Sequence, residues 1–243
     1  MFDLYLDLSL LLSTAMLKNG GETYRAEECA KNILSAGGAD EVEILAFPTG
    51  ITVMARYSGK TYTRVRSLKV RVNNLGNIDF LNSLSREVSS GRMNPAEAIS
   101  RINALPEQKD FLKRSVFACF TSAAFTLMFG GNFLEFILAI AVAFIAQLVV
   151  AQLKKIGSIT FFSNMGGSIL TALLARLCLL LLPDINISYI IIGGIMPLLP
   201  GLATINAIRD TLYGDLVSGG ARGIDALLSA IAIAAGVGLV LAI

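Results

Sequence analysis

Only ten charged side chains fall after residue 114 of this 243-residue chain, and several stand where desolvation needs a chemical or pairing reason. Asn206, Arg209 and Asp210 lie at i, i+3 and i+4 and share one helical face, with Asp215 and Arg222 beyond. Such a face can be a gate, a substrate-binding wall or a proton-carrying carboxylate, or simply an interfacial salt bridge. Just upstream, Ile192-Gly193-Gly194-Ile195-Met196-Pro197-Leu198-Leu199-Pro200-Gly201 sets two prolines three apart beside paired glycines, which no uninterrupted helix accommodates. A break at the bilayer midplane is expected, with half-helix ends turning N–H and C=O groups toward a substrate carboxylate or a cation. A purely structural kink is the alternative.

Further upstream, Asn164-Met165-Gly166-Gly167-Ser168 places an amide and paired glycines inside an apolar run. Arg176 lies about 25 Å beyond Ile159 along that helix, where it either snorkels outward or faces a pathway and attracts an anionic group. The expected substrate-binding set is therefore Asn164, Gly166, Gly167, Arg176, Gly193, Gly194, Pro197, Pro200, Gly201, Asn206 and Arg209. With no histidine in the chain, a proton-carrying role falls to the carboxylates Asp210, Asp215 or Glu135, and Gln147 is a weaker intramembrane polar candidate. The same absence excludes Ser-His and Cys-His catalysis, and Cys29, Cys119 and Cys178 are too widely spaced for a disulfide framework or a zinc site. No metal, cofactor or enzymatic activity is expected, and the thiols suit a reducing compartment.

The elements that must position these residues divide by charge. Residues 1–114 hold 28 of the 38 charged residues, whereas mean hydropathy over the chain is +0.67. The net charge of +2 is too weak and mixed to argue for nucleic acid. In the first part, Phe2 to Leu17 reads as an amphipathic helix closed by Asn19-Gly20-Gly21, and its early Asp3 and Asp7 argue against a signal peptide. A helix from Thr23 to Gly37-Gly38, three alternating strands within 41–68, and helices from near Ile78 and from the capped start Asn94-Pro95-Ala96-Glu97 complete an α+β domain. The run Arg56, Lys60, Arg64, Arg66, Lys69 and Arg71 contains no acid and reads as a solvated or membrane-facing strand surface, or as a site for an anionic ligand or lipid headgroup. Gly20-Gly21-Glu22-Thr23-Tyr24-Arg25-Ala26-Glu27 reads as a helix stop followed by a helix start, with Glu22 and Arg25 able to pair.

The second part offers five apolar segments, near 115–129, 133–153, 159–182, 188–205 and 224–243. Lys113-Arg114, Lys154-Lys155 and Arg209 with Arg222 alternate with base-free connections, which predicts a cytoplasmic amino terminus and an external carboxyl terminus. Ala230, Ala234 and Gly238 suggest a close-packing seam in the last segment. The expected architecture is a multi-pass α-helical membrane protein of five transmembrane helices, one broken, over residues 115–243, with a cytoplasmic α+β domain over 1–114.

The string at residues 20–27, together with Pro197-Leu198-Leu199-Pro200-Gly201 and Asn206-Ala207-Ile208-Arg209-Asp210…Gly214-Asp215…Ser218-Gly219…Ala221-Arg222, resembles the threonine/serine exporter family. The resemblance runs along nearly the whole chain. Full-length members look like ten-span proteins with a hydrophilic amino-terminal domain, so this chain resembles one subunit of the split version, partnered by a smaller membrane protein or by itself. The resemblance implies residence in a bacterial inner membrane and proton-driven export of small anionic or zwitterionic solutes, either hydroxy amino acids or dicarboxylates such as succinate. A regulatory or assembly subunit, with the pathway in its partner, is the alternative.

Overall fold

The computed structural model describes residues 2–69, 72–106, 111–155 and 159–243. Arg71 of the basic run lies outside them. The chain packs as two compact units, neither continuous in sequence. The first comprises Met1–Glu107 with Leu202–Ile224, and the second Gln108–Gly201 with Asp225–Ile243.

In the first unit, helix α1 (Phe2–Lys18) packs with α2 (Thr23–Ala36) and with an antiparallel meander of β1 (Glu41–Phe47), β2 (Gly50–Tyr57) and β3 (Lys60–Ser67). Helices α3 (Leu75–Ser89) and α4 (Pro95–Asn103) close it. The sequence suggests an ordinary amphipathic α1, yet after its second turn no residue before Lys18 is exposed, because α2, α4 and the sheet all cover it. Its buried hydroxyls are satisfied within the helix, Ser9 donating to the Leu6 carbonyl at 2.8 Å and Ser13 to that of Ser9. Ile51, Val53 and Ala55 form the covered face of β2, and the cross-strand register puts Arg64 and Arg66 of β3 opposite Val53 and Ile51. Arg64 thereby lies 4.0 Å from Asp3 and Asp7 of α1, an exposed and weak pairing.

The stop after α1 is built by glycine. Gly20 sits at φ +89°, and Gly21 N–H closes on the Met16 carbonyl at 3.0 Å, the hydrogen-bond pattern of a left-handed helix cap. A Cβ on Gly21 would fall 2.8 Å from the Met16 side chain, so the turn is held tight. Residues 18 and 19 are pinned by Val72 N–H to the Lys18 carbonyl (2.8 Å) and Asn74 N–H to that of Asn19 (3.0 Å). The first unit also contains most of α9 (Gly201–Leu212) and the first two turns of α10 (Leu216–Leu241).

In the second unit, α5 (Phe111–Met128), α6 (Phe133–Lys155), α7 (Thr160–Leu181) and α8 (Ile187–Ile195) pack with the remainder of α10. Small residues set the contacts: a Cβ on Gly193 would meet the Ser122 carbonyl at 2.6 Å, and one on Gly194 the Thr171 methyl at 2.6 Å. Glu135 is 2% exposed and forms a reciprocal cap with Asn132, accepting from its N–H at 2.8 Å while Asn132 Oδ1 accepts from Glu135 N–H at 3.0 Å. Its second oxygen accepts from Asn186 N–H at 2.6 Å, joining the starts of α6 and α8.

Among the described residues, α6, α7 and α10 are long and apolar enough to cross a membrane, and α8 with α9 make a fourth span if their bent pair is one crossing. The apolar part of α5, Ser115–Met128, is about 21 Å long, short of a hydrocarbon core of about 30 Å, so the length criterion supports three or four of the five expected spans. The last helix begins at Leu216, earlier than its apolar run, and takes in Arg222. The suggested seam is corrected too. Ala230, Ala234 and Gly238 are exposed, whereas Gly236 meets α7 at Ser168 and the Met165 carbonyl. Four-residue spacing fixes a stripe but not which way the helix is rotated.

Candidate functional site

The break in the apolar segment is real. A 3-10 turn at Met196–Leu198 ends α8, Leu199 turns to extended backbone (φ −64°, ψ 138°), and α9 begins afresh at Gly201. The physical cause is in the residues, since Pro197 and Pro200 each remove a backbone donor. Within the second unit, Leu198 is buried, and a Cβ on Gly167 would meet both Val150 and Leu198 (3.2 Å for the latter). Gly167, Gly193 and Gly194 thus serve close helix packing around the break. Asn164 is buried on the face of α7 that carries Gly167 and Ser168, and Gly166 abuts Leu153. Arg176 points to the exposed side of α7 and donates to the Val240 carbonyl at 2.8 Å, satisfying one of the last carbonyls of α10. It lines a shallow apolar recess with Leu173, Leu177, Leu180 and Val240.

The polar residues after the break are assembled inside the first unit, and their partners lie nearly two hundred positions away in sequence. Asn206 Nδ2 donates to the Gly20 carbonyl at 2.8 Å, and Arg222 Nη2 to the Gly21 carbonyl at 2.8 Å. Arg209 Nη1 holds Glu22 Oε1 at 2.6 Å. Thr23 N–H donates to Asp210 Oδ1 at 3.2 Å, and its hydroxyl to Asp215 Oδ2 at 2.8 Å. Tyr24 stacks on Tyr213 with ring centroids 4.1 Å apart. Five consecutive residues, Gly20 to Tyr24, therefore contact six residues of 206–222, each through its own group.

Local structure explains the convergence. One face of α9 carries Asn206, Arg209 and Asp210, Gly214 (φ +89°) turns the chain, and Asp215 Oδ1 caps α10 by accepting Ser218 N–H at 2.9 Å. A Cβ on Gly219 would lie 2.9 Å from the Ala207 carbonyl, so glycine brings the start of α10 against α9. Arg222, one turn beyond Ser218, then reaches Asp210 with Nε–Oδ2 at 3.0 Å. Asp210 is fully buried and Arg222 6% exposed, so neither charge has water to fall back on. Arg222, read from sequence as a loop charge that orients the chain, is instead a buried ion-pair partner, because α10 starts before it.

Charge balance tunes the titrating groups. Burial pushes the Glu22 carboxyl up, but a backbone N–H bond and the guanidinium groups of Arg209 and Arg25 outweigh it and hold the group below its ordinary value. Asp215 is likewise pushed up by burial and held low by hydrogen bonds from Ser218 and Thr23 and by Arg222. Glu27, half-buried and accepting from Ala46 N–H at 2.8 Å, is raised, first by burial and further by the charges of Asp215 and Asp210. Glu22 and Thr23 are the residues that sequence reasoning undervalued. Glu22 does approach Arg25, at 3.6 Å, but its short bond is to Arg209.

An apolar bundle with three or four membrane-length helices, joined in one chain to a sheet-bearing unit with a buried mixed-charge cluster, is the make-up of a multi-pass helical membrane protein. Among the described residues no group of His, Cys, Asp and Glu could hold a metal ion. The ThrE threonine/serine exporter family matches residues 7–243, and the chain belongs to that family of transporters. It is 24% identical over 238 residues to the probable threonine/serine exporter of Mycobacterium tuberculosis, covering 96% of this chain and 45% of that protein. It is 27% identical over 198 residues to the threonine/serine exporter of Corynebacterium glutamicum, covering 79% and 40%. The chain spans less than half the length of these relatives. No solved structure matches it.

Proposed function

We propose that the chain is one subunit of a secondary exporter of small hydroxy amino acids, threonine- or serine-like, loaded from the cytoplasmic side and driven by the proton gradient. The observation that carries this reading is the mixed sign of the polar cluster, buried at Asp210 and Arg222 and open to solvent at Arg209. Arg209 and Arg222 suit a carboxylate, while Asp210 and Asp215 suit an ammonium group, a combination that fits a zwitterion better than a dicarboxylate such as succinate. Asp210 and Asp215 are the carboxylates for proton coupling, in the absence of histidine. The broken segment, with Gly193, Gly194, Pro197, Pro200, Gly201 and Asn164 about it, is the proposed passage through the bilayer.

In this reading a second membrane subunit or a second copy completes the pathway; the curated relatives are more than twice as long as the stretch they share with this chain. The amino terminus then lies in the cytoplasm, supported by the alternation of Lys113-Arg114, Lys154-Lys155 and Arg209 with base-free connections, and the bacterial exporters it resembles support residence in a bacterial inner membrane. The deciding experiment is efflux of labelled L-threonine, L-serine and succinate from loaded cells, with the chain alone and with its candidate partner. Uphill efflux of the amino acids that collapses with the proton gradient is expected. Succinate efflux without amino-acid efflux would overturn the substrate reading, and unaltered efflux on loss of the gradient would overturn the coupling.

A further inference from the structure

The short segment docked on α9 and α10 presents an unusual set of groups. Thr23 offers its own nitrogen, as N–H, to Asp210 Oδ1 at 3.2 Å and its own β-hydroxyl to Asp215 Oδ2 at 2.8 Å. The preceding residue offers a carboxylate, Glu22, to Arg209 Nη1 at 2.6 Å. Nitrogen, β-hydroxyl and carboxylate are the three polar groups of a free β-hydroxy-α-amino acid, and each is met by a group of complementary charge or hydrogen-bonding sense. We propose that Arg209, Asp210 and Asp215 form a binding site for a free hydroxy amino acid, and that Glu22-Thr23 occupies it as a built-in imitation of that substrate.

Helix capping alone does not account for the arrangement. The first N–H groups of α2 need acceptors, and any one would serve. Capping does not require a second carboxylate oriented by Ser218 N–H to receive the Thr23 hydroxyl, nor a guanidinium for Glu22. The imitation is also incomplete in the direction that lets substrate compete. Thr23 gives Asp210 a single neutral amide N–H at 3.2 Å, whereas a free amino acid brings an ammonium with three donors and a full charge, and charge-assisted bonds are roughly twice as strong. Arg209 is about half exposed and provides the first handle for an incoming carboxylate, while Asp210 is fully buried and is reached only once Thr23 withdraws. A tethered occupant lowers the apparent affinity for substrate by the fraction of time the site is open. If the segment is in place about 90% of the time, the apparent dissociation constant rises about tenfold. The device would thus keep the site closed until its substrate is abundant.

This inference rests on the hydroxy-amino-acid reading above, and the test separates the two. The full chain, purified and reconstituted, is titrated calorimetrically with L-threonine and with L-2-aminobutyrate, which lacks only the hydroxyl. Thr23→Ala and Glu22→Gln are expected to bind L-threonine about tenfold more tightly than the unaltered chain, and Thr23→Ser, which restores the hydroxyl, to return the affinity to its closed value. Asp215→Asn in the Thr23→Ala background should abolish the preference for L-threonine over L-2-aminobutyrate. Should Thr23→Ala fail to fold, saturating L-threonine is expected to speed amide exchange at residues 20–24 of the unaltered chain. Threonine efflux by the unaltered chain combined with unchanged affinity in both variants, or with no change in exchange, would overturn the imitation and leave the export reading standing. No amino-acid efflux and no binding by any variant would overturn both.

Discussion

At the scale of single residues, the Asp210–Arg222 pair sets the terms. With both groups buried and 3.0 Å apart, removing one leaves an uncompensated charge, which typically costs about 3–5 kcal/mol. Asp210→Asn is therefore expected to lower the thermal unfolding midpoint steeply, as measured on the detergent-solubilised chain. Asp215→Asn keeps an oxygen that can cap α10 and is expected to be much milder. Transport defects in the second variant are thus the more informative about proton coupling, because they are less confounded by folding.

Two glutamates of the same region should respond oppositely to pH. Glu22 is held below its ordinary value near 4.5, so its contribution to stability is complete above that value and is lost as the pH falls through its lowered folded value. Chemical denaturation across the acid range should show this loss in the unaltered chain and a flatter profile in Glu22→Gln. Glu27 is raised by burial and by Asp215 and Asp210, so its ionised form opposes folding at neutral pH. Glu27→Gln keeps an acceptor for Ala46 N–H and is expected to raise the midpoint by about 1–3 °C at pH 7 and by less in acid. An equal gain at both pH values would show that charge is not the cause.

At the scale of elements, glycine decides which helices touch. Gly236 faces the Met165 carbonyl, 2.7 Å from where a Cβ would sit, whereas Gly238, two residues on, has open space. Gly236→Ala should therefore cost about 1–3 kcal/mol through forced separation of α7 and α10, while Gly238→Ala should be neutral or slightly stabilising. Thermal unfolding of the two variants side by side checks the assignment. The three strands, the starts of α2 and α4 and the break at Pro197 to Pro200 were legible in sequence, because alternation, capping residues and proline act over a few neighbours. The rotation of α10 and its early start at Leu216 were not, since stripes of small residues ran along more than one face.

At the scale of the whole molecule, the compact units are not consecutive stretches of chain, and residues 202–224 pack with residues 1–107. A fragment of residues 1–106 would lack Asn206, Arg209, Asp210, Tyr213, Asp215 and Arg222, and its segment 19–27 should exchange amide hydrogens much faster than in the full chain. Equal protection in fragment and full chain would mean that the contacts from 206–222 contribute little order.

The sequence by itself determined the partition of charge, the apolar helices, the break and the resemblance to a transporter family, since these depend on composition and on short-range rules of hydrogen bonding and sterics. It also marked Asn206, Arg209, Asp210, Asp215 and Arg222 of the polar cluster, though not Tyr213. Only the tertiary structure decided that Gly20 to Tyr24 meets Asn206 to Arg222, that Arg222 is buried, and that Arg176 turns outward to cap α10. Pairings across nearly two hundred residues leave no local trace. What selects them is the need of buried carboxylates, guanidinium groups and helix-end N–H groups to find partners once water is excluded.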